Sequence, residues 1–263
     1  MNKLILTTLS LISATLLFAQ TEHSPCKAKT GIIAHRGYWK TEGSAQNSIA
    51  SLTKAQQLGI YGSEFDVNLT KEGELVVCHG PAIGKIKNVQ YADLLAIGNE
   101  SLENGEKVPL LKDYLIAGKK SPGTKLILEI KAHDNTVLEG EALLGAIKEV
   151  KKCGVRDQVE FISFSVYICK ELKRLMPKSK VSYLGGDIPP REVKAMGLDG
   201  IDYNYSCFEE HPEWVKEAHD SGLTVNVWTV NTKEQIKKMI ELGVDLITTN
   251  EPILAASCCS EDN

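Results

Sequence analysis

The chain has 263 residues, 43% of them hydrophobic and 24% charged, with a formal net charge of −4. That length holds one large domain or two small ones, and a core of that size needs no disulfide or metal staples. The acidic balance, without a Lys/Arg block, a zinc-knuckle spacing or a basic stripe interleaved with aromatics, gives no reason to expect nucleic acid as a partner. An anionic substrate must be met by local cations or a metal, because the global field does not attract it.

Met1-Asn2-Lys3 gives a charged start, Leu4 to Phe18 is apolar, and Ala19-Gln20 offers a small-residue cleavage context. Residues 1–20 therefore read as a signal peptide, and 21–263 as a single mature domain, periplasmic or secreted. The apolar run falls short of the roughly 20 residues that span a bilayer, so no stable membrane insertion is expected after cleavage. Ser24-Pro25-Cys26 lacks the residues expected before a lipidated cysteine. Of the seven cysteines, Cys78, Cys153, Cys169 and Cys207 sit inside regular elements and read as small core residues. Cys26 and Cys258-Cys259 lie near the two ends, where a bridge is plausible in an oxidising compartment. There is no CxxC.

In chain order, Gly31 to Ala34 is a buried-strand candidate that ends in His35-Arg36-Gly37, and Tyr38 to Ala45 is a loop. Ser48 to Leu58 carries Ile49, Leu52, Ala55 and Leu58 at helical spacing, with Gly59 as cap. Tyr61 to Leu69 is a strand with Glu64, Asp66 and Asn68 on one face and Phe65 and Val67 on the other. Lys71-Glu72-Gly73 is a tight turn into a second strand, Glu74 to Cys78, which carries His79 at its end. Pro81 to Val108, rich in Gly, Asn and Lys with a short helical patch from Tyr91 to Ala96, reads as an insertion or lid.

From Pro109 onward helices and strands alternate. Helices are predicted over Pro109–Ala117, Glu139–Val150, Tyr167–Met176, Pro190–Met196, Pro212–Ser221 and Lys233–Leu242. Strands are predicted over Lys125–Ile130, Val159–Phe164, Val181–Leu184, Gly200–Tyr205, Thr224–Val230 and Asp245–Thr249. Such alternation means parallel pairing. About eight units in this length fit a closed (β/α)8 TIM barrel better than an open doubly wound sheet. One strand-like run is in excess, and the Glu64–His79 hairpin is the irregularity, because so tight a turn joins antiparallel strands. No GxGxxG follows a strand and no P-loop is present.

His35, Glu64, Asp66, His79, Glu129, Lys131 and Trp228 all fall within or at the ends of strands, and parallel barrels carry their chemistry at the carboxyl ends of strands. Glu64 and Asp66 share a face, and Glu129 adds a third carboxylate from another strand. Three hard oxygen ligands without cysteine suit Ca²⁺ or Mg²⁺ better than zinc. His35 and His79 are the candidate acid–base pair. Arg36 is placed to bind a phosphoryl group in bidentate fashion and Lys131 as a point charge, with an internal ion pair from Lys131 to Glu129 or Glu64 as the alternative. His133 follows Lys131 into a polar loop and is not expected in the site. His23, His211 and His219 read as surface residues. A divalent cation, two side-chain cations and a His pair suit phosphodiester cleavage.

Taken together, His35-Arg36-Gly37, Asn47-Ser48, the run from Glu64 to Gly73 and Val76-Val77-Cys78-His79 resemble the bacterial, periplasmic-type glycerophosphodiester phosphodiesterase family. Glu129-Ile130-Lys131, Ser163-Phe164-Ser165, Val227 to Asn231 and Thr248 to Pro252 extend the likeness from Gly31 to about Leu254. The resemblance implies a TIM barrel with a short insertion after the second catalytic histidine. It implies metal-dependent hydrolysis of a small-molecule glycerophosphodiester to sn-glycerol 3-phosphate and an alcohol, with a role in lipid metabolism. By it, His35 and His79 are the acid–base pair and Glu64, Asp66 and Glu129 hold Ca²⁺ or Mg²⁺. Arg36, Lys131 and Asn47 belong to the phosphate side, and Trp228 packs on the glycerol. The resemblance also implies that a glycerol hydroxyl attacks phosphorus and that water opens the resulting cyclic phosphate.

The chain departs from the family pattern twice: Gln46 stands where Glu is usual, and Gly80 follows His79 where Asp is usual. Two other readings compete with hydrolysis of a small diester. One is a phospholipase-type phosphodiesterase, which the few aromatics of Pro81 to Val108 disfavour. The other is a non-catalytic periplasmic phosphodiester-binding module. The sequence does not set the oligomeric state.

Overall fold

The computed structural model describes residues 30–261. The expected signal peptide, His23 and Cys26 lie outside the described residues. Nine strands follow one another: β1 (Gly31–Ala34), β2 (Gly62–Leu69), β3 (Leu75–Val77), β4 (Lys125–Ile130), β5 (Val159–Ser163), β6 (Val181–Tyr183), β7 (Gly200–Asn204), β8 (Thr224–Trp228) and β9 (Leu246–Thr249). Their spatial order is β1-β9-β8-β7-β6-β5-β4-β2-β3, and an additional β1–β2 pairing closes the sheet. β3 alone is antiparallel, set against β2 with Val67 opposite Val77. Removing that hairpin strand leaves eight parallel strands closed into the expected (β/α)8 barrel, with helices around it.

The alternation of side chains along each strand divides the core in two. Phe65, Val67 and Leu69 of β2 point outward into the main core between strands and helices. Phe65 packs on Tyr114 with ring centroids 4.4 Å apart. Inward-pointing Ile33, Ile127, Ile162 and Leu246 form a separate apolar plug inside the barrel. Ile33 lies two residues before His35 and Ile127 two before Glu129, so the plug is the layer directly beneath the polar rim.

The caps set where the helices begin. Ser48 accepts from the Ser51 amide and starts the helix Ile49–Gln57. Asn135 accepts from the Val137 and Leu138 amides, so the next long helix runs Thr136–Cys153 and begins ahead of the predicted Glu139. Two helices escaped the sequence reading. Tyr205–Glu210 is a single short turn that Asn204 caps where the strand had been extended to Tyr205. Pro252–Glu261 is rich in small residues and shows little amphipathic contrast.

Between β3 and the helix Leu111–Gly118, residues 81–108 carry a 3₁₀ turn at Val89–Tyr91 and a helix at Leu94–Asn99. They pack around a small core of Val76, Cys78, Ile83, Val89, Ile97 and Val108. The Glu106 carboxylate accepts from the Ile49 and Ala50 amides at 3.0 and 3.3 Å, which ties this segment to a helix N-terminus. Cys78 and Cys169 are buried as expected, whereas Cys153 and Cys207 are only partly so. Cys258 and Cys259 are buried on the last helix, and Cys26, their expected counterpart, is outside the described residues. No helix among the described residues is long and apolar enough to cross a membrane.

Phe65→Ala is expected to cost about 3–5 kcal/mol of unfolding free energy, because it opens a cavity against Tyr114 in the fully buried core. Denaturant titration of both proteins measures it.

Candidate active site

The turn after β1 builds one side of the site. Arg36 and Gly37 both take the left-handed conformation, with φ of 57° and 77°. A Cβ on Gly37 would lie 2.3 Å from the Ser51 hydroxyl, so only glycine fits this turn. The turn brings the Arg36 amide to Glu64 Oε2 at 2.8 Å and the Gly37 amide to the Glu64 carbonyl at 3.1 Å. The strained backbone thus orients the first carboxylate from its own peptide groups.

The other two carboxylates meet through strand register. Asp66 of β2 stands beside Glu129 of β4, and both side chains face inward. Glu64, Asp66 and Glu129 each offer an oxygen within 4.8 Å of the others, and all three are buried. Glu64 Oε1 is buried without a hydrogen-bond partner. An orphaned buried carboxylate oxygen beside two more carboxylates fits a hard divalent cation.

Lys131 lies against this cluster, with Nζ 2.9 Å from Asp66 Oδ1 and 2.7 Å from Glu129 Oε1. The anticipated internal ion pair therefore forms, to Glu129 and Asp66 rather than to Glu64. Arg36 Nε stands 3.4 Å from Asp66 Oδ2, and its Nη1 donates to Gln46 Oε1 at 2.5 Å. Asn47 donates to Asp66 Oδ2 at 2.8 Å and accepts from the Asp66 amide at 3.1 Å. It too adopts a positive φ, 62°, which asparagine tolerates better than most residues.

These contacts split the three acids. Burial would raise Asp66, but Lys131, Arg36 and the Asn47 hydrogen bond outweigh it and hold the carboxyl below its ordinary range. Burial pushes Glu64 well up, and Asp66 and Glu129 add to it. Glu129 rises to about 7 through burial and then Asp66, against the pull of Lys131. For Lys131, burial works downward, yet Asp66 and Glu129 leave it above the usual lysine value.

Both histidines reach the same cavity, about 190 Å³ at the mouth of the barrel. His35 Nδ1 is 2.8 Å from Asn250 Oδ1, an acceptor that makes Nδ1 the protonated nitrogen. The Asn250 amide donates to Asn231 Oδ1 at 2.9 Å, and Trp39 Nε1 donates to Asn250 Oδ1 at 3.2 Å, so the Asn250 side chain is itself held. Burial and the nearby Arg36 lower His35 to about 4, and the ring is neutral at pH 7. His79 follows β3 on a more open edge; burial lowers it, Asp66 raises it, and Lys131 and Arg36 lower it further. At Gly80, with φ of 61°, a Cβ would lie 3.0 Å from Asn68 Nδ2. The Asn68 amide donates to the Cys78 carbonyl at 2.7 Å, so a side chain after the histidine would crowd this amide as well as strain the left-handed backbone.

Trp228 donates from Nε1 to the Asp202 carbonyl at 2.8 Å, and Phe164 meets it edge-on at 5.7 Å. Their rings form an apolar wall opposite the carboxylates. His133 uses Nδ1 on the Lys131 carbonyl and Nε2 on the Leu69 amide, and it stands outside the cavity. Of the nine residues singled out from the sequence, all but Asn47 line the cavity, and Asn47 reaches it through Asp66.

Sequence reasoning missed Asn250, Phe164, Leu184 and Asp202. Asn250 and Phe164 lay in quoted motifs next to strand ends, and that position was the available signal. Asp202 points inward, and only the closed barrel reveals it. Its Oδ1 is buried without a partner, and burial lifts its carboxyl to about 8.

An eight-stranded parallel barrel whose strand ends gather a candidate acidic cation site, two histidines and two side-chain cations is suited to the hydrolysis of phosphoric diesters. Comparison with known proteins agrees. Residues 35–254 match the sequence model of the Glycerophosphoryl diester phosphodiesterase family, and the chain belongs to that family. It is 29% identical over 238 residues to a glycerophosphodiester phosphodiesterase of Caldanaerobacter subterraneus, covering 85% of this chain and 95% of that protein. A crystal structure of a glycerophosphodiester phosphodiesterase from Parabacteroides distasonis superposes with a TM-score of 0.88 at 44% identity, covering 90% of this chain and 99% of that one. An Oleispira antarctica phosphodiesterase, solved with the product sn-glycerol-3-phosphate, shares the fold with a TM-score of 0.78 at 23% identity, covering 88% and 96%.

Cation binding requires ionised carboxylates, so it must displace the protons that burial keeps on Glu64 and Glu129. Below pH 7 Glu129 is protonated and competes with the cation; above pH 7 that competition fades. Apparent Ca²⁺ or Mg²⁺ affinity is therefore expected to rise with pH through the range in which Glu129 and Glu64 lose their protons, by up to about tenfold per unit for each proton released. Calorimetry in two buffers of different ionisation enthalpy counts the protons.

Proposed function

We propose that this protein hydrolyses glycerophosphodiesters to sn-glycerol 3-phosphate and an alcohol, with Ca²⁺ or Mg²⁺ held by Glu64, Asp66 and Glu129. The observation that carries the reading is the meeting of the three carboxylates, Arg36, Lys131 and both histidines in one cavity. The resemblance to named glycerophosphodiester phosphodiesterases supports the substrate class, as does the glycerol phosphate product held by the Oleispira antarctica protein of the same fold. When bound, the cation supplies positive charge to the non-bridging oxygens of the phosphodiester.

The chain's own residues supply the rest. His35, neutral and fixed in its tautomer by Asn250, presents its Nε2 lone pair to the cavity, 4.0 Å from Glu64 Oε2, and takes the proton of the attacking hydroxyl. His79 gives a proton to the leaving oxygen; the diester's negative charge favours the protonated ring once substrate is bound. Arg36 and Lys131 share charge with both the carboxylates and the phosphate, so neither residue is idle without substrate. Trp228 and Phe164 cover the glycerol carbons. Asn47 acts by holding Asp66.

Gln46 and Gly80 leave this arrangement standing. Gln46 keeps Arg36 aimed by a hydrogen bond, and Gly80 suits the left-handed backbone of its own loop. A binding module without turnover is therefore disfavoured. Export to the periplasm or beyond, with residues 1–20 as the leader and a single domain from residue 21, belongs to the same proposal and rests on the sequence.

Incubation of the purified chain with a panel of glycerophosphodiesters is expected to release glycerol 3-phosphate; no release from any member contradicts the reading. His35→Ala is expected to lower kcat by about 10²–10⁴-fold while cation binding persists. Unchanged turnover in that variant contradicts its role as base.

A further inference from the structure

A second cavity, of about 290 Å³, lies beside the first. The two have Arg36 and His79 in common and share no other lining residue. Its near wall is the loop after β1, with Gln46, and its far wall is the segment that follows His79, with Ala82, Ile83, Ser101 and Glu103. Those walls are braced against each other: Asn104 donates to the Gly43 carbonyl at 3.2 Å, and Glu106 caps the helix Ile49–Gln57.

Displacement at phosphorus places the attacking and leaving oxygens roughly in line, on opposite sides of the reacting atom. His35 borders the first cavity only, whereas His79 borders both. If His35 takes the proton of the attacking oxygen within the barrel mouth, the leaving oxygen faces His79, and what is attached to it extends into the second cavity. That cavity contains no aromatic ring apart from His79, so no quaternary ammonium cage is provided for, and Ile83 and Leu102 are its largest apolar lining residues. Its one acidic lining residue is Glu103, which is exposed and makes no hydrogen bond or ion pair among the described residues. Arg36, the cation of the same wall, is already engaged by Asp66 and Gln46.

We propose that the second cavity is the subsite for the leaving alcohol, and that Glu103 selects small headgroups carrying a primary ammonium over neutral ones. The proposal rests on the phosphodiesterase reading above and names the alcohol for that same reaction. The oxygen deprotonated by His35 bonds to phosphorus as the diester's P–O bond to the headgroup breaks, the released oxygen takes its proton from His79, and the amino alcohol leaves past Gly80 and Glu103.

The test compares kcat/KM for an ethanolamine diester and a glycerol diester of glycerol phosphate, in the wild type, Glu103→Gln and Glu103→Lys. The wild type is expected to favour the ethanolamine diester. Glu103→Gln should lower the ethanolamine-to-glycerol ratio about two- to fivefold, the range for an exposed charge pair, chiefly through KM. Glu103→Lys should lower it further. Because Glu103 is exposed and unpaired, both variants are expected to fold. Turnover of both diesters with the ratio unchanged in both variants would overturn the subsite and leave the reaction intact. Failure of the wild type to cleave either diester would overturn the reaction and the subsite together.

Discussion

Three buried carboxylates within 4.8 Å of one another repel strongly inside a barrel, and the local structure is organised around that repulsion. Lys131 bridges two of them, the Arg36 guanidinium sits beside Asp66, and the Arg36 peptide nitrogen donates to Glu64. Asn47 gives Asp66 two further hydrogen bonds. The compensation is incomplete, since one Glu64 oxygen has no partner and both glutamates are pushed toward their neutral forms. A site whose carboxylates are left short of partners in this way is poised to bind a cation.

The barrel makes such a cluster possible. Inward positions on β1 and β4 place Ile33 and Ile127 one layer below His35 and Glu129, so the polar rim rests on a packed floor. The strained turn at Arg36-Gly37 then folds over Glu64, and Ser51 packs so closely beneath Gly37 that no side chain fits there. Stability and chemistry therefore meet at the same few residues: the backbone strain of that turn is offset by the packing of the first helix and by the amide that orients the Glu64 carboxylate.

Much of this was legible in the sequence because strand ends in a parallel barrel are short and punctuated. Alternation in Glu64-Phe65-Asp66-Val67 separated the two faces of β2, and the turn at Lys71-Glu72-Gly73 marked β3 as the antiparallel exception. Register was not legible: nothing in the local pattern says that Asp66 stands beside Glu129, and that pairing is what brings the third carboxylate in. The partner of His35 was hidden for a similar reason. Asn250 is 215 positions away and reaches His35 only because β9 closes against β1. Asn47 carried the right motif, but its contact with Asp66 depends on a left-handed turn that a sequence pattern does not specify.

The most direct measurement is turnover of a glycerophosphodiester by chelated protein, before and after graded return of Ca²⁺ or Mg²⁺, for the wild type and Asp66→Asn. If the carboxylates hold a cation on which the reaction depends, activity disappears in chelator and returns with the cation, and Asp66→Asn needs a higher concentration for half-recovery. Full activity of the wild type in chelator, or recovery at the same cation concentration in both proteins, would contradict it.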